Sequence, residues 1–389
     1  MKSEKIYCKT ICVILSMLFI LSLFPSVSYA EIQNYEATTN EKNDTFLIQS
    51  EKNNEVKGEV SDNSIIKRNN RIRNYTEPDE INSTSLIVFA DDGISMDKNA
   101  NITQIDDSIY LLEYPDTSSA RDAYAENILK SDYIEENIQF TVSSSGKNES
   151  VDINKYANKL SGGIIDKSTI ALIDTGVSEN SNVVQRVSVI GDLPDDDNGH
   201  GDHMLSCILE QNPNAKVISV KALDAAGNAT AADIYSAIEY AVYREDVSII
   251  NLSVSALSSE GSYLIEKAVN DALVKGIIVV GAAGNNNTDA VYSVPGSIEN
   301  IIVAGACDEN GNKTSSSNYG STVDYYVKAE STSQAAATLT GFISLYGVSA
   351  IDNNVNNGLI FKGENVRINS EVQSGSGNFY AADNIASGT

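Results

Sequence analysis

Four short segments of the sequence carry residue types that together could cleave an acyl bond by nucleophilic catalysis. Asp174 follows an apolar run, the only two histidines are His200 and His203, Asn285 follows a run of small residues, and Ser333 stands just before a run of alanines. A hydroxyl can act as the nucleophile, an imidazole as its general base, a carboxylate as the partner of the imidazole, and an amide as a donor to an oxyanion. Asp, His and Ser follow one another along the chain in one of the orders known for such triads.

The sequence around each candidate favours a position at a strand end or a helix start. Asp174 comes directly after an apolar run, where a charged carboxylate is costly unless a donor or a cation answers it. Glycines on both sides of His200 allow backbone and ligand to approach closely, and His203 lies one turn further along the predicted helix. Ser333 opens the last predicted helix, whose dipole has its positive end there.

Three alternatives to a serine-based site remain open from the residues alone. The motif Asp174-Thr175-Gly176 has the form found in aspartic proteases, but those need a second such aspartate in an all-β setting, and the sequence has no second copy. A metal site could combine the two histidines with Asp202 and the acidic run Asp195-Asp196-Asp197, although the histidine pair of H-E-x-x-H is missing. The third alternative is a protein that kept these residues but acts by binding or regulation without catalysis.

Alternating strand and helix patterns predict the elements that must position these residues. Near-continuous apolar runs predict strands over residues 169–173, 217–222, 247–252, 276–281 and 301–305. Helical patterns cover residues 203–209, 231–243, 260–274 and 333–346. This alternation predicts an α/β fold with a doubly wound, mostly parallel sheet, in which functional residues collect at the carboxyl ends of the strands.

Three segments of different character precede this predicted sheet. Residues 1–30 combine a basic start, an apolar run and small residues before Ala30, the pattern of a cleaved secretion signal, and the run is shorter than the ~20 residues needed to span a bilayer. Residues 31–83 are rich in Asn, Glu, Lys, Ser and Thr and predict a disordered polar spacer. A small α+β unit is predicted over residues 84–145, from strand patterns at 85–90, 109–114 and 133–134 and a helical pattern at 118–129.

Taken together, the motifs resemble those of a subtilisin-like serine protease, with the catalytic domain over residues 146–349. The resemblance implies that Ser333 is the nucleophile and that His200 acts as general base and then as general acid. It also implies that Asp174 orients and stabilises the imidazolium and that Asn285 is the side-chain donor to the oxyanion.

The same resemblance implies where a substrate binds. An extended peptide would pair as an added strand with Gly227-Asn228-Ala229 and Ser253-Val254-Ser255, while Ala283 and Gly284 would form a pocket wall without a fixed charge. Residues 84–145 similarly resemble the family's ferredoxin-like propeptide, which assists folding and then plugs the site with its C-terminal tail. The expected maturation site lies between residues 140 and 151, and residues 350–389 form a C-terminal extension of unassigned role.

Several positions depart from the usual pattern of that family. Asp202 stands where threonine is typical and, if it lies close, should raise the pKa of His200. Ser331 replaces the glycine before the nucleophile, where a side chain is expected to crowd the turn, and Ala337 replaces a proline. The segment after His203 lacks the insertion that usually holds calcium, so no metal is expected, and the acidic run at 195–197 is interpreted as a solvated turn.

Composition limits the remaining partners. Of the 389 residues, 53 are acidic and 27 basic, and the net charge of −26 excludes a general grip on the nucleic-acid backbone. Beyond the predicted signal only Cys207 and Cys307 remain. They could pair in an oxidising space, but we interpret them as two inert buried thiols. We therefore expect a secreted, monomeric serine endopeptidase, made as a zymogen, that acts on polypeptides and is inhibited by its own propeptide. No cofactor, nucleic acid or membrane partner is expected once the signal is removed.

Overall fold

In the computed structural model, the apolar runs of the sequence form the centre of a large parallel sheet. The structure describes residues 81–91, 99–127, 131, 133–142, 169–352, 359–363, 367–368 and 371–372. All of these lie in one compact unit, Ile66–Thr389. The predicted signal at 1–30, most of the predicted spacer at 31–83, the chain around the expected maturation site and most of the C-terminal extension lie outside the described residues.

Eight strands form this sheet within the described residues, in the order β16-β15-β14-β12-β10-β6-β8-β7. Neighbouring strands are parallel, except that β16 at one edge is antiparallel to β15. After β6 the chain forms β7 and β8 on one side of it and then crosses to β10 on the other side. Ligands bind at such a reversal of strand order in open α/β sheets. The strands are β6 (Thr169–Asp174), β7 (Val183–Ser188), β8 (Lys216–Lys221), β10 (Val247–Leu252), β12 (Ile278–Ala282), β14 (Ile302–Cys307), β15 (Tyr325–Lys328) and β16 (Ile360–Lys362).

Helices cover both faces of the sheet, so successive side chains of β6 are buried on opposite faces. Ala171 and Ile173 point into one buried apolar cluster, while Ile170 and Leu172 point into a second cluster on the opposite face. Within the described ranges, no helix combines the length and apolar content needed to cross a membrane. The helices packed on the sheet are α2 (His200–Gln211), α3 (Ala231–Val242), α4 (Tyr263–Val274), α5 (Thr332–Tyr346) and α6 (Ser349–Asp352).

A smaller sheet, with its own apolar cluster, precedes the large one along the chain. Its four strands are antiparallel in the order β2-β3-β1-β4, and helix α1 (Thr117–Asn127) lies between β3 and β4 in sequence. We call the described residues from 81 to 142 the α+β unit. Its strands are β1 (Ser85–Phe89), β2 (Asn101–Asp106), β3 (Ile109–Glu113), β4 (Tyr133–Glu136) and β5 (Gln139–Thr141).

Short strand pairs complete the fold. Strand β5 pairs with β9 (Asn228–Thr230), and β11 (Ala256–Leu257) pairs with β13 (Ser293–Val294). Near the C-terminus, β17 (Arg367–Ile368) pairs with β18 (Glu371–Val372). The doubly wound architecture predicted from the sequence is confirmed, whereas the role of the α+β unit as a propeptide stays a prediction.

Candidate active site

The structure joins Asp174 and His200 directly. Asp174 is the last residue of β6 and His200 is the first residue of α2, and their side chains are each 1% exposed. Nδ1 of His200 lies 2.7 Å from Oδ1 of Asp174, and the same carboxylate oxygen accepts the backbone N–H of Thr175 at 2.8 Å. A buried carboxylate that holds one ring nitrogen of a histidine fixes both the orientation and the tautomer of the ring.

Two glycines allow α2 to begin against the end of β6. Gly199 precedes the helix with φ of 94°, a conformation that favours glycine. At Gly201 a Cβ atom would overlap the carbonyl oxygen of Gly176, so only glycine permits this approach of the two backbones. The predicted close approach around His200 is therefore between segments of the protein itself.

Helices α2 and α5 lie side by side, which brings Ser333 to the same end of the fold as His200. Three contacts share a nearly constant offset along the two helices: His203 with Gln334, Ile208 with Gly341, and Asn212 with Ser344. Since the offset is about 132 residues, the start of α2 lies beside the start of α5. Ser333 is the second residue of α5 and is 2% exposed.

The hydroxyl of Ser333 is hydrogen-bonded to Ser253, the residue that follows strand β10. Its Oγ donates to the carbonyl oxygen of Ser253 at 3.0 Å, while Oγ of Ser253 donates to the carbonyl oxygen of Ser333 at 3.0 Å. Nε2 of His200 is buried and has no hydrogen-bond partner among the described residues. Asp174, His200 and Ser333 thus lie at the same end of the two adjacent helices, and no hydrogen bond joins His200 to Ser333.

The side chain of Asn285 is hydrogen-bonded to Thr332, the residue before Ser333. Its Oδ1 accepts the backbone N–H of Thr332 at 3.0 Å, and Oγ1 of Thr332 accepts the N–H of Gly284 at 3.2 Å. The first bond uses the oxygen end of the Asn285 amide. Its NH₂ end takes no part in either of these bonds.

A residue that the sequence did not single out, Asn318, shapes the loop that carries Asn285. Asn318 is fully buried; its Nδ2 donates to the carbonyl of Ala283 at 2.8 Å, and its Oδ1 accepts the N–H groups of Asn286 and Thr288. Next to it, Nζ of Lys313 donates to Oδ1 of Asn287 at 2.8 Å, and burial lowers the pKa of Lys313 to about 8. No local motif marks Asn318, because these partners lie thirty or more residues away in sequence.

Strand β5 lies between the two segments to which the sequence assigned substrate pairing. Gln139, Phe140 and Thr141 pair in antiparallel register with Thr230, Ala229 and Asn228. On the other side, the N–H of Thr141 donates to the carbonyl of Ser255 at 3.0 Å and the N–H of Ser255 donates back at 3.1 Å. The N–H of Val142 also donates to the carbonyl of Gly227 at 3.1 Å.

The remaining predicted binding residues have mixed surroundings. Val254 is buried in the core, and Ala283 has both its backbone groups bonded within the fold, its N–H to Ala304 and its carbonyl to Asn318. Gly284 likewise donates to Thr332 and accepts from the backbone of Asn318. Ala283 and Gly284 can therefore offer a substrate surface but no free backbone hydrogen bond.

The departures from the family pattern have local structural answers. Ser331 has φ of −137° and its Oγ accepts the N–H of Gln334 at 3.3 Å, so it is the N-cap of α5 and the expected crowding is wrong. The carboxylate of Asp202 accepts both the N–H and the hydroxyl of Ser178. The charges that raise the pKa of His200 are those of Asp174 and Asp196, not that of Asp202. Ala337, in the place of the proline, is fully buried in the core.

The acidic run is not a freely solvated turn. Asp195 pairs with Arg186 at 2.5 Å, and Asp197 pairs at 2.6 Å with Lys221, whose side chain is 0% exposed. Asp196, between them, accepts hydrogen bonds from the hydroxyl of Thr175 and from the backbone N–H groups of Gly199 and Asp202. Among the described residues, no group of three or more His, Cys, Asp or Glu side chains is arranged to hold a metal ion.

The two histidines have opposite electrostatic surroundings. Burial opposes protonation of His200, but the charge and hydrogen bond of Asp174 and the charge of Asp196 outweigh it, so the pKa of His200 is raised. Burial lowers the pKa of His203, and the positive charge of His200 acts in the same direction. His203 contacts Gln334 through Nε2 at 3.1 Å, which agrees with a structural role.

Both cysteines of the described chain are free thiols. Burial raises the pKa of Cys207 to about 12 and also raises that of Cys307. Thiols with such raised pKa values are poor nucleophiles near neutral pH.

Comparison with known proteins identifies the family of this chain. The model of the subtilase family matches residues 96–350. The chain is 32% identical over 195 residues to a thermostable alkaline protease of Halalkalibacterium halodurans, covering 46% of this chain and 52% of that protein. It is 36% identical over 172 residues to a thermophilic serine proteinase of Bacillus sp. (strain AK1), covering 40% of this chain and 42% of that protein. The chain thus spans about half the length of the curated relatives it matches.

Among solved structures, the chain is similar to a cold-adapted subtilisin-like serine proteinase, with a TM-score of 0.42 and 24% identity. That match covers 49% of this chain and 77% of the other.

Proposed function

The chain belongs to the subtilase family, and from that membership we propose that it is a serine endopeptidase that hydrolyses peptide bonds through an acyl-enzyme. The observation that carries the proposal is the buried contact between Asp174 and His200, which lies at the same end of two adjacent helices as Ser333. The hydrogen bond between Asn285 and Thr332 also supports the proposal, because it holds the proposed oxyanion donor next to the residue that precedes the proposed nucleophile.

In the proposed reaction, the hydroxyl of Ser333 leaves the carbonyl of Ser253 and gives its proton to Nε2 of His200 as Oγ attacks the peptide carbonyl. Asp174 stabilises the imidazolium that forms, and the NH₂ group of Asn285 donates to the negatively charged oxygen. His200 then protonates the leaving amine, which gives an acyl-enzyme on Ser333. Water, deprotonated by the same imidazole, hydrolyses the ester and restores the serine.

We further propose that the α+β unit is an inhibitory propeptide. Its strand β5 fills the groove between β9 and Ser255 with backbone hydrogen bonds on both sides, as a bound substrate strand would. Its Glu135 also accepts N–H groups at the first turn of α4, so the unit stabilises a helix of the larger domain.

The register of the β5 ladder narrows the expected maturation site. Thr141 pairs with Ser255 in antiparallel register. The same register extended by two residues would set position 143, which lies outside the described residues, opposite Ser253. The carbonyl of Ser253 accepts the hydroxyl of Ser333, so we expect cleavage of the bond between Ser143 and Ser144. Mass spectrometry of the processed protein should give an N-terminus at Ser144.

Export of the protein is proposed on the pattern of residues 1–30 alone. Expression of the whole chain in a secreting host should place the processed protein in the medium. Retention of an unprocessed chain inside the cell would contradict the export signal.

A fluorophosphonate probe tests the proposed activity. The processed protein should form a covalent adduct, which Ser333→Ala should abolish, while a control Ser315→Ala at an exposed serine should label as the parent does. A processed, folded protein that never labels would overturn the proposal and favour the non-catalytic binding protein.

A further inference from the structure

Asp196 makes an unusual number of hydrogen bonds for a residue in an acidic loop. Its Oδ1 accepts the hydroxyl of Thr175 at 2.8 Å and the N–H groups of Asn198 and Gly199 at 3.0 and 2.8 Å. Its Oδ2 accepts the N–H of Asp202 at 2.8 Å. One carboxylate therefore satisfies four donors, three of them backbone groups at or just before the first turn of α2.

The donors that Asp196 binds come from both sides of the contact between Asp174 and His200. Thr175 follows Asp174, and its hydroxyl oxygen in turn accepts the N–H of Gly201 at 2.9 Å. Asn198 and Gly199 immediately precede His200. Asp196 and Thr175 together thus join the end of β6 to the start of α2 around the catalytic pair.

We propose that Asp196 is a positioning residue for the proton transfer, which fixes the loop between Asp174 and His200 and adds a second negative charge beside the imidazole. This inference deepens the proposed function and rests on it. Asp196 itself does not touch the reacting atoms. It acts through the geometry and the charge balance of His200.

The charges around the imidazole are few, so the contribution of Asp196 can be separated. Asp174 faces His200 from β6, Asp196 from the loop before α2, and His203 from the next turn of α2. The hydrogen bonds to Asp196 lower its own pKa against the effect of burial, so it is ionised at neutral pH. Both carboxylates therefore favour the protonated imidazole.

The experiment uses the whole chain carrying Ser333→Ala, labelled with ¹³C at histidine. Because the protein has only two histidines, NMR titration gives two imidazole signals and needs no catalytic activity. Replacing Asp196 by Asn should lower the pKa of His200, and Asp196→Ser should do the same while still offering an acceptor to the start of α2. Asp195→Asn is the matched control, because Asp195 pairs with Arg186, and it should leave the titration unchanged.

The outcomes separate this inference from the proposed protease activity. An unchanged His200 titration in a folded Asp196→Asn or Asp196→Ser protein overturns the inference, whatever the probe assay shows. If neither variant folds, Asp196→Glu decides, because it should fold and keep the parent titration; a folded Asp196→Glu protein with a lowered His200 pKa overturns the inference. In the active background, Asp196→Asn should lower kcat more than it changes KM and should move the acid limb of the pH profile to lower pH.

Discussion

Oδ1 of Asn285 lies 3.0 Å from the backbone nitrogen of Thr332, the residue before the proposed nucleophile. The side-chain amide of Asn285 is therefore held by its oxygen. An amide fixed in this way needs little reorganisation before its NH₂ group meets a developing oxyanion. This hydrogen bond therefore connects the loop of Asn285 directly to the start of α5.

Asn285→Ala should lower kcat by ~10²–10³-fold with little change in KM, because the lost hydrogen bond forms in the transition state. Steady-state kinetics on a peptide substrate measures this loss. Asn286→Ala, at the exposed neighbouring residue, serves as control and should keep parent activity. Full activity of Asn285→Ala would remove the residue from the site.

His200→Ala should lower kcat about as much as Ser333→Ala, since the members of a triad act as a unit. The double variant should be no slower than either single variant. Both can be compared at high enzyme concentration against the uncatalysed rate. Additive losses in the double variant would show that the two residues act independently.

The pH dependence of kcat/KM should follow the raised pKa of His200. Catalysis requires the neutral imidazole, so activity should fall with falling pH through a value above the ~6.5 of an ordinary histidine. Because the folded-state pKa is raised, His200 stabilises the fold fully below its unfolded value, and this stabilisation is lost as pH rises through the folded value. A pH–rate profile with its acid limb at or below 6.5 would contradict the expected electrostatics.

Asn318→Ala should lower the free energy of unfolding by about 2 kcal/mol, because it leaves the buried carbonyl of Ala283 and two partly buried N–H groups of the Asn285 loop without partners. Chemical denaturation of the Ser333→Ala background measures this without autolysis. Asn310→Ala, at an exposed turn residue, is the control and should change stability by less than about 0.5 kcal/mol. Equal stability of the two variants would mean that the loop is held in another way.

Glu135→Gln should weaken the hold of the α+β unit on the larger domain, because a neutral amide is a poorer acceptor for the first turn of α4. After processing, the released unit should dissociate faster, seen as earlier appearance of activity. Glu113→Gln is the matched control, since Glu113 bonds to Asn101 within the α+β unit. Identical activation times would show that Glu135 adds nothing to retention.

The strands that could be predicted from the sequence are those formed by a nearly continuous run of apolar residues. Strands β6, β10 and β12 are covered on both faces and carry near-continuous apolar runs. By contrast, β2 (NITQID) and β7 (VVQRVS) lie at sheet edges with mixed exposure, and their patterns gave no strand prediction.

The candidate site divides in the same way. Asp174, His200, Asn285 and Ser333 stand in recognisable short motifs, and the structure brings them to one end of the sheet. The supporting residues Asp196 and Asn318 act through hydrogen bonds that exist only after distant segments have packed. Their roles therefore depend on tertiary contacts that composition and spacing do not encode.

Strand β5 is gripped by backbone groups along both of its edges, from Gly227 to Thr230 on one side and at Ser255 on the other. A segment that takes its place must offer its own N–H and carbonyl groups sideways in both directions, which no helix and no strand inside another sheet can do. A folded protein must therefore unfold locally before one of its segments can bind in the groove, whatever the sequence of that segment. Under the proposed protease activity, native proteins would be cut where they unfold most easily, and the same requirement would protect the folded enzyme from its own active site.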